Sequence, residues 1–365
     1  MRFPLAATAL VVALLGPQTA AVAAVDQAVD QQDAPPPAVS GAGVFWLDRA
    51  LAAAREVPHT GRLVVASFSR EGPQLTEVQV TRGVDGGLTV AKEGGWEVGR
   101  VGQEAFLRSS GTLLRLGGLE QRAAIDLERL VGKYLIEVQP QRTELDTGMT
   151  RVLELREHDG DRAREVLYLD LETDLIVRRE TYDTEGEPMR VVAYSDLEVV
   201  DARVVAPDPE GLEVEAFSLS SADIAEIESR GFVAPATLPG GYVLQSGFER
   251  PEASVPTMHL VYSDGLYTLS VFEQQGRMST AALEGATELT APGGGAVWRL
   301  PGSEPRRVIW RGDERTFTAI TDAPVDELLT VVTGLPNDPA PSMLGRLTRG
   351  ISRVGRWLWP LDGSE

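Results

Sequence analysis

The residue types that most often carry out chemistry are few in this chain. There is no cysteine, which excludes disulfides, thiolate nucleophiles and cysteine-based metal sites. The three histidines, His59, His158 and His259, are about a hundred residues apart and lie in neither an H-E-x-x-H nor a G-x-S-x-G motif. Isolated histidines are more often structural or solvent-facing than catalytic, and a pH-sensing role is the weaker alternative. The sequence therefore predicts a protein that is not an enzyme and uses no cofactor.

Acidic residues are abundant, and two clusters resemble fragments of calcium-binding loops. Asp159-Gly160-Asp161 and the segment Asp170–Asp174 both lack the twelve-residue spacing and terminal Glu of an EF-hand loop. Aspartate is also a common turn former, so we interpret both clusters as solvated turns. No pair of carboxylates stands out as suited to glycoside chemistry. No metal site is predicted.

The overall charge restricts the class of partner. The formal net charge is −20 and the isoelectric point is near 4.7. Phosphate binding needs a basic surface, so nucleic acid is not expected as a partner.

The first residues predict export. Arg2 precedes the almost entirely apolar segment Phe3–Leu15, and Ala21, Ala23 and Ala24 offer an A-x-A cleavage site. The apolar segment is too short to span a bilayer core of about 30 Å, which argues against an uncleaved anchor. We predict a signal peptide at residues 1–24, a disordered leader at 25–40, and a location in the periplasm or at the extracytoplasmic face of the cell membrane.

The elements that would position any site are mostly strands. Between residues 41 and 205, helices are predicted at about Val44–Arg55 and Ala124–Gly132, and alternating apolar and polar residues predict short strands elsewhere. Turn sequences such as Thr184-Glu185-Gly186 separate the strands. This pattern predicts an α+β, mostly antiparallel β fold, in which a sheet with one buried face is covered by the two helices.

A second domain is predicted after a stretch rich in proline, glycine and acids. We interpret residues 206–234 as a linker with a short helix, and residues 235–335 as a smaller β-rich domain. Its clearest element is a hairpin from His259 to Phe272, with Asp264-Gly265 as the turn.

The last segment, residues 336–365, combines a proline linker with a basic amphipathic tail. Its apolar residues recur every three or four positions, interleaved with arginines and followed by tryptophans: Arg346, Arg349, Arg353, Arg356, Trp357 and Trp359. Such a helix suits an anionic membrane surface, an acidic partner or the protein's own acidic surface. Three glycines, each costing about 1 kcal/mol relative to alanine, leave a frayed tail as the alternative.

Two stretches resemble the MucB/RseB family of periplasmic sigma-factor regulatory proteins. The first is Glu165–Gly186, EVLYLDLETDLIVRRETYDTEG, which is similar to a strand-turn-strand signature of the family's first domain. The second comprises Leu238–Tyr242 (LPGGY), Leu260–Leu266 (LVYSDGL) and Ser270–Glu273 (SVFE), as in the family's second domain. The order and spacing of these strings cover most of the chain from Trp46 to Pro336.

The resemblance implies a fold and a function. The first domain would be similar to the lipoprotein carriers LolA and LppX, an unclosed β-barrel wrapped round helices over an apolar cavity. The whole protein would bind a membrane-bound anti-sigma factor in an envelope-stress pathway and release it when lipid or lipoprotein fragments bind. A lipid or lipoprotein carrier of the cell envelope is the alternative, although a carrier would not need the second domain.

Candidate site residues follow from this interpretation. The predicted helix and first strand supply the ligand-cavity candidates Phe45, Trp46, Ala50, Ala53, Val64 and Phe68. The hairpin of the second domain supplies the partner-binding candidates Tyr262, Asp264 and Phe272. Packing into a solid core is an equally good interpretation of each apolar residue taken singly.

Overall fold

A computed structural model describes the greater part of the chain. The described residues are 39–69, 72–101, 104–109, 112–117, 127–201, 203–205, 212–215, 221–250, 257–276, 283–301 and 306–337. The predicted signal peptide, residues 25–38 of the predicted leader and the Arg/Trp tail lie outside them.

The described residues form four helices and twenty strands. The helices are α1 (Val39–Glu56), α2 (Leu127–Lys133), α3 (Ser221–Ser229) and α4 (Val325–Val332). The strands before α3 are β1 (His59–Ser69), β2 (Gly72–Arg82), β3 (Leu88–Ala91), β4 (Trp96–Val101), β5 (Glu104–Ser109), β6 (Thr112–Gly117), β7 (Tyr134–Leu145), β8 (Gly148–Glu157), β9 (Ala163–Asp170), β10 (Ile176–Tyr182), β11 (Pro188–Val199) and β12 (Leu212–Glu215). Those after α3 are β13 (Thr237–Leu238), β14 (Tyr242–Arg250), β15 (Thr257–Ser263), β16 (Thr268–Gln275), β17 (Thr287–Thr290), β18 (Ala296–Arg299), β19 (Arg306–Gly312) and β20 (Arg315–Thr321).

The first twelve strands form one sheet, in the order β12-β6-β5-β4-β3-β2-β1-β11-β10-β9-β8-β7. Its centre is the antiparallel ladder between β1 and β11, which pairs His59 with Val199 and Ser67 with Arg190. The two edge strands, β12 and β7, are not paired with each other in the described residues, so the sheet is unclosed. This arrangement confirms the predicted fold class.

One strand of this sheet was not expected. Residues 212–215 lie in the predicted linker, yet they form β12, which pairs in parallel with β6. The predicted short helix of the linker is present as α3, and Gly231 follows it at φ +87°, a conformation that favours glycine at a helix end.

Helix α1 lies against the first sheet next to strand β7. Its buried residues Leu47, Ala50 and Leu51 recur at three- and four-residue intervals, so they share one helix face. At Gly43 the helix backbone comes so close to β7 that an added Cβ would lie 2.0 Å from the carbonyl oxygen of Ile136. The missing side chain therefore sets how closely α1 lies on the sheet. The helix begins at Val39, five residues before the predicted start.

The remaining strands form a second sheet, in the order β13-β14-β15-β16-β20-β19-β18-β17. All its pairings are antiparallel, and β15 and β16 form the predicted hairpin, joined by residues 264–267. Helix α4 packs on this sheet through buried Leu328, Val331 and Val332. We call the first sheet with α1 and α2 the first unit, and the second sheet with α3 and α4 the second unit.

One hydrophobic core is shared by the two units. It joins Leu47 of α1 and Leu153 of β8 to Leu260 of β15 and Trp310 of β19, all at most 1% exposed. A separate cluster around Val80, Val98 and Tyr194 fills the other half of the first sheet. The shared core means that the second unit covers part of the first sheet's buried face.

Among the described residues, no helix has both the length and the apolar character needed to cross a bilayer.

Gly43→Ala should destabilise the protein, because the added methyl group meets a backbone carbonyl that cannot rotate away. We expect a loss of about 1–3 kcal/mol in the free energy of unfolding, the usual cost of overpacking. Gly132→Ala in α2 is the matched control, because a Cβ there meets no atom within 4 Å and should stabilise by up to about 1 kcal/mol. Urea unfolding followed by circular dichroism measures both, and equal effects would contradict the packing described for α1.

Candidate ligand cavity and the junction between the units

A cavity of about 90 Å³ lies where the first sheet, α1 and the second unit meet. Leu47 and Ala54 of α1 line one side, and strand residues such as Leu63, Val65 and Leu167 line the other. These walls are apolar because one face of each element points inwards, at a period of 3.6 residues in the helix and two in the strands.

The cavity has one charged wall, formed by three side chains of neighbouring strands. Glu165 of β9 accepts hydrogen bonds from Arg179 Nε and, at 3.1 Å, from Thr181 Oγ1, both on β10. Arg179 Nη2 is buried and has no hydrogen-bond partner among the described residues. Burial raises the pKa of the Glu165 carboxyl, although Arg179 and Arg190 oppose this. Arg190 of β11 completes the wall.

His59 and Tyr194 form a second polar contact in the lining. The His59 ring lies 3.1 Å from the Tyr194 hydroxyl through Nε2 and 2.9 Å from the Val57 carbonyl through Nδ1. Burial lowers the pKa of His59 and raises that of Tyr194. Both ring nitrogens have partners within the protein, which favours a structural role for this histidine.

The hairpin of the second unit forms part of the cavity wall. Gly265 and Leu266, at the tip between β15 and β16, are part of the lining, and Leu266 is 9% exposed. A Cβ added at Gly265 would lie 3.2–3.4 Å from the backbone and Cβ of Leu130 in α2. With φ of +99°, Gly265 also adopts a conformation that glycine tolerates best. The tip therefore packs closely against α2.

A buried polar cluster holds the hairpin tip in place; we call Lys133, Tyr134, Asp264 and Glu327 the junction cluster. Lys133 Nζ lies 2.5 Å from Asp264 Oδ2 and 2.6 Å from Glu327 Oε1. The Tyr134 hydroxyl donates to the same Asp264 oxygen at 2.9 Å. Two residues of the first unit therefore bind two carboxylates of the second.

Asp264 also shapes the tip itself. Its Oδ1 accepts hydrogen bonds from the backbone amides of Leu266 at 2.9 Å and Tyr267 at 2.7 Å. The carboxylate is fully buried, so its four donors replace the water it has lost.

The junction cluster contains two carboxylates and one ammonium group. This imbalance changes the pKa values of Glu327 and Lys133. Burial raises the pKa of Glu327 to about 7; Lys133 opposes the shift and Asp264 adds to it. Burial alone would lower the pKa of Lys133, but Asp264 and Glu327 raise it overall. Lys133 therefore remains charged, whereas Glu327 changes its charge near neutral pH.

A second set of contacts joins the units at Arg190 and Met189 of the first sheet. Arg190 donates to Asp322 Oδ2 at 3.1 Å, and Asp322 Oδ1 accepts from the Thr268 amide at 3.0 Å. Arg306 of the second unit reaches the Met189 sulfur at 3.1 Å. Arg190 thus both lines the cavity and contacts the second unit.

The predicted cavity residues lie beside the lining rather than in it. Ala50 and Ala53 are buried on α1, Trp46 is half-buried, and Phe45 is 49% exposed. Val64 and the 37% exposed Phe68 lie on the face of β1 opposite to Leu63 and Val65. Arg151 stacks on Trp46 with its guanidinium carbon 3.2 Å from the ring centroid, and Phe45 meets the same ring edge-on at 5.1 Å.

The three predicted partner-binding residues are buried in this structure. Tyr262 and Asp264 are 0% exposed and Phe272 is 7% exposed. Phe272 stacks on His259 with ring centroids 4.1 Å apart, on the sheet face opposite to Tyr262. These side chains therefore offer almost no accessible surface to a partner in this structure.

The charged wall and the side chains that bind Asp264 were not predicted from the sequence. The Arg178-Arg179 pair offered no sign of which arginine points inwards. Lys133 did carry a signal, because it is one of only two lysines in a chain that otherwise uses arginine. A lysine ammonium is a compact charge with three donors, and here it contacts two carboxylates.

The described residues contain no group of three or more metal-ligating His, Asp or Glu side chains, and the two acidic clusters of the sequence lie at turns.

The described residues define a mostly antiparallel, two-sheet protein with an unclosed first sheet and a cavity lined by residues of both units. No protein-family model and no curated protein matches the chain. Among solved structures, the fold is similar to that of MucB in complex with MucA(peri), at 18% identity and a TM-score of 0.47, covering 82% of this chain and 98% of that one. For the Pseudomonas aeruginosa MucA/MucB complex the identity is 20% and the TM-score 0.47, with 82% and 99% covered. A LolA superfamily protein from Nitrosomonas europaea has 12% identity and a TM-score of 0.23, with 46% and 96% covered.

Glu327→Gln should change how stability depends on pH. The folded-state pKa of about 7 lies above the ordinary value of 4.5, so the folded state binds more protons between these values. Glu327 therefore makes the free energy of unfolding fall as pH rises from 4.5 through 7, by about 3 kcal/mol in all. The glutamine variant should lack this fall.

Urea unfolding at a series of pH values from 4.5 to 8 measures the effect as the difference between the two proteins. Asp326→Asn changes an exposed carboxylate one residue away and serves as the control, with a difference that stays constant across the series. A constant difference for Glu327→Gln as well would show that Glu327 does not titrate in this range.

Proposed function

We propose that the chain is an exported regulator of an envelope-stress sigma-factor pathway, which binds an anti-sigma factor and senses an amphiphile in its cavity. It acts by binding rather than by catalysis. The observation that carries the proposal is the composition of the cavity wall, to which the second unit contributes Gly265 and Leu266. Because the wall belongs to both units, a change in the cavity alters how the second unit is held.

The choice of partner rests on the sequence resemblance to the MucB/RseB family, whose members regulate sigma factors through an anti-sigma factor. The strings that carry this resemblance, Glu165–Gly186 and Leu260–Leu266, contain Glu165, Arg179 and the hairpin tip. Among solved structures of similar fold, MucB is in complex with MucA. By analogy, the extracytoplasmic segment of an anti-sigma factor is the partner proposed for this chain.

The choice of ligand rests on the chemistry of the cavity. Leucine, valine and alanine side chains favour an acyl chain, and a few polar groups suffice to orient it. Arg179 offers a buried guanidinium N–H group for an anionic head group. A lipid or the acyl part of a lipoprotein has both features.

Binding to the anti-sigma segment should weaken when a fatty acid is present. Isothermal titration with the extracytoplasmic segment of a candidate anti-sigma factor, with and without oleate, measures this. Arg179→Gln should reduce the oleate effect, because Arg179 lines the cavity. Arg178→Gln is the matched control, since Arg178 precedes Arg179 in the same strand and pairs with Glu180 instead. Absence of binding under both conditions would refute the proposed partner.

A lipid or lipoprotein carrier is the second candidate, and the unclosed, LolA-like first sheet favours it. A carrier would hold its cargo stoichiometrically, whereas a sensor would exchange it. Native mass spectrometry of the purified protein distinguishes the two, because a lipid bound at one copy per chain supports the carrier.

The Arg/Trp tail is proposed to hold the mature protein at the outer face of the cell membrane. Anionic liposomes should co-sediment the full mature chain and release it at high salt, since arginine attraction to lipid head groups is screened by ions. A chain that ends at Pro341 should stay in the supernatant. Equal behaviour of the two chains would exclude the tail as a membrane anchor.

A further inference from the structure

We infer that the hairpin tip of the second unit, Gly265-Leu266, is a plug, and that an acyl ligand and the plug cannot occupy the cavity at the same time. Ligand binding would therefore force the junction between the units to open. This inference rests on the proposed amphiphile sensing and specifies how the cavity is regulated.

The cavity in its present form is too small for the proposed ligand. Its volume is about 90 Å³. An engineered protein cavity that holds a single benzene molecule measures about 150 Å³. An acyl chain of ordinary length is several times larger than benzene, so part of the wall has to move before it can enter.

The sheet wall resists such a movement. Leu63, Val65 and Leu167 lie in strands that are paired on both sides, so displacing any of them breaks backbone hydrogen bonds of the first sheet. Helix α1 is fixed by the backbone contact of Gly43 with β7 and by three buried core residues. Moving these walls would disrupt the first sheet or the packing of α1 on it.

The plug can move while both sheets stay intact, although it must give up its contacts with the shared core. In the described residues no strand pairing joins the two sheets, so the second unit can shift without breaking a ladder of either sheet. The described polar contacts across the junction involve side chains: the junction cluster, Arg190 with Asp322, and Arg306 with Met189. Asp264 connects the plug directly to this set, since it binds Lys133 on one oxygen and the tip backbone on the other.

Displacement of the plug also affects two of the predicted partner-binding residues, Tyr262 and Asp264. Asp264 and Tyr262, both fully buried in the closed protein, lie at the plug and in the strand that leads to it. An outward shift of the hairpin exposes this end of the second unit. The ligand thereby changes a surface of the second unit that it does not touch, which is the requirement for allosteric control of a partner.

The absence of cysteine makes a direct test practicable. A Cβ at Gly265 lies 3.4 Å from the Leu130 Cβ, close to the separation found in disulfides, so Leu130→Cys with Gly265→Cys should allow the plug to be locked by oxidation. The fluorescent fatty acid cis-parinaric acid is the probe. The oxidised protein should bind it at least about tenfold more weakly than the same protein after reduction, because only the unplugged population is competent.

A second variant covers the case in which the cysteine pair prevents folding. Leu266→Ala shortens the plug and should bind cis-parinaric acid about tenfold more tightly than the unaltered protein, a change of ~1.4 kcal/mol. Leu75→Ala is the matched control, because Leu75 is 71% exposed on β2 and should leave the affinity unchanged. Hydrogen exchange of residues 262–268 should increase when the unaltered protein is saturated with the probe.

The outcomes separate the inference from the proposed function. Equal affinity of the oxidised and reduced proteins, or of Leu266→Ala and the unaltered protein, refutes the plug while lipid sensing stands. No binding by the unaltered protein, the reduced pair or Leu266→Ala refutes both.

Discussion

The structure depends on one carboxylate, that of Asp264. It is buried completely, and the cost of removing a charge from water is met by a lysine, a tyrosine hydroxyl and two backbone amides. The amides define the hairpin tip, while Lys133 and Tyr134 belong to the other sheet. The conformation of the tip and the docking of the two units are therefore a single constraint. Loss of either Lys133 or the tip geometry would remove part of the compensation for this buried charge.

This constraint explains why the cavity lies where it does. A twelve-stranded sheet that does not close must cover its buried face with something other than itself. Helix α1 covers one part, and the second unit, held by Asp264, covers another. The cavity is the space left between helix α1 and the second unit. Arg179 and Arg190, on neighbouring strands of the first sheet, are the positively charged residues of its lining. Arg190 lines the cavity and also binds Asp322 of the second unit. A displacement of Arg190 therefore affects both the cavity and the junction.

The sequence predicted the kind of fold well, because alternation and turn residues are local properties. The hairpin at Asp264-Gly265 and the helix before Gly231 appear as expected. The cavity lining was harder to predict, because it depends on which face of an element points inwards. In β1 an unbroken apolar run gives no alternation to read, and Val64 and Val65 differ only by the register that β11 imposes. Strand β12 was missed for a similar reason, since its pairing with β6 is set by residues far away in the chain.

The central ladder of the first sheet also governs how the protein reaches this state. Strand β1 pairs with β11, so the middle of the sheet joins residues 59–67 to residues 190–199. Contacts of such long range form late and slowly, because a long loop must close before any of them stabilises the chain. The central ladder therefore cannot be completed until most of the first unit is present. For a protein proposed to leave the cytoplasm, slow completion of this sheet would favour export before folding.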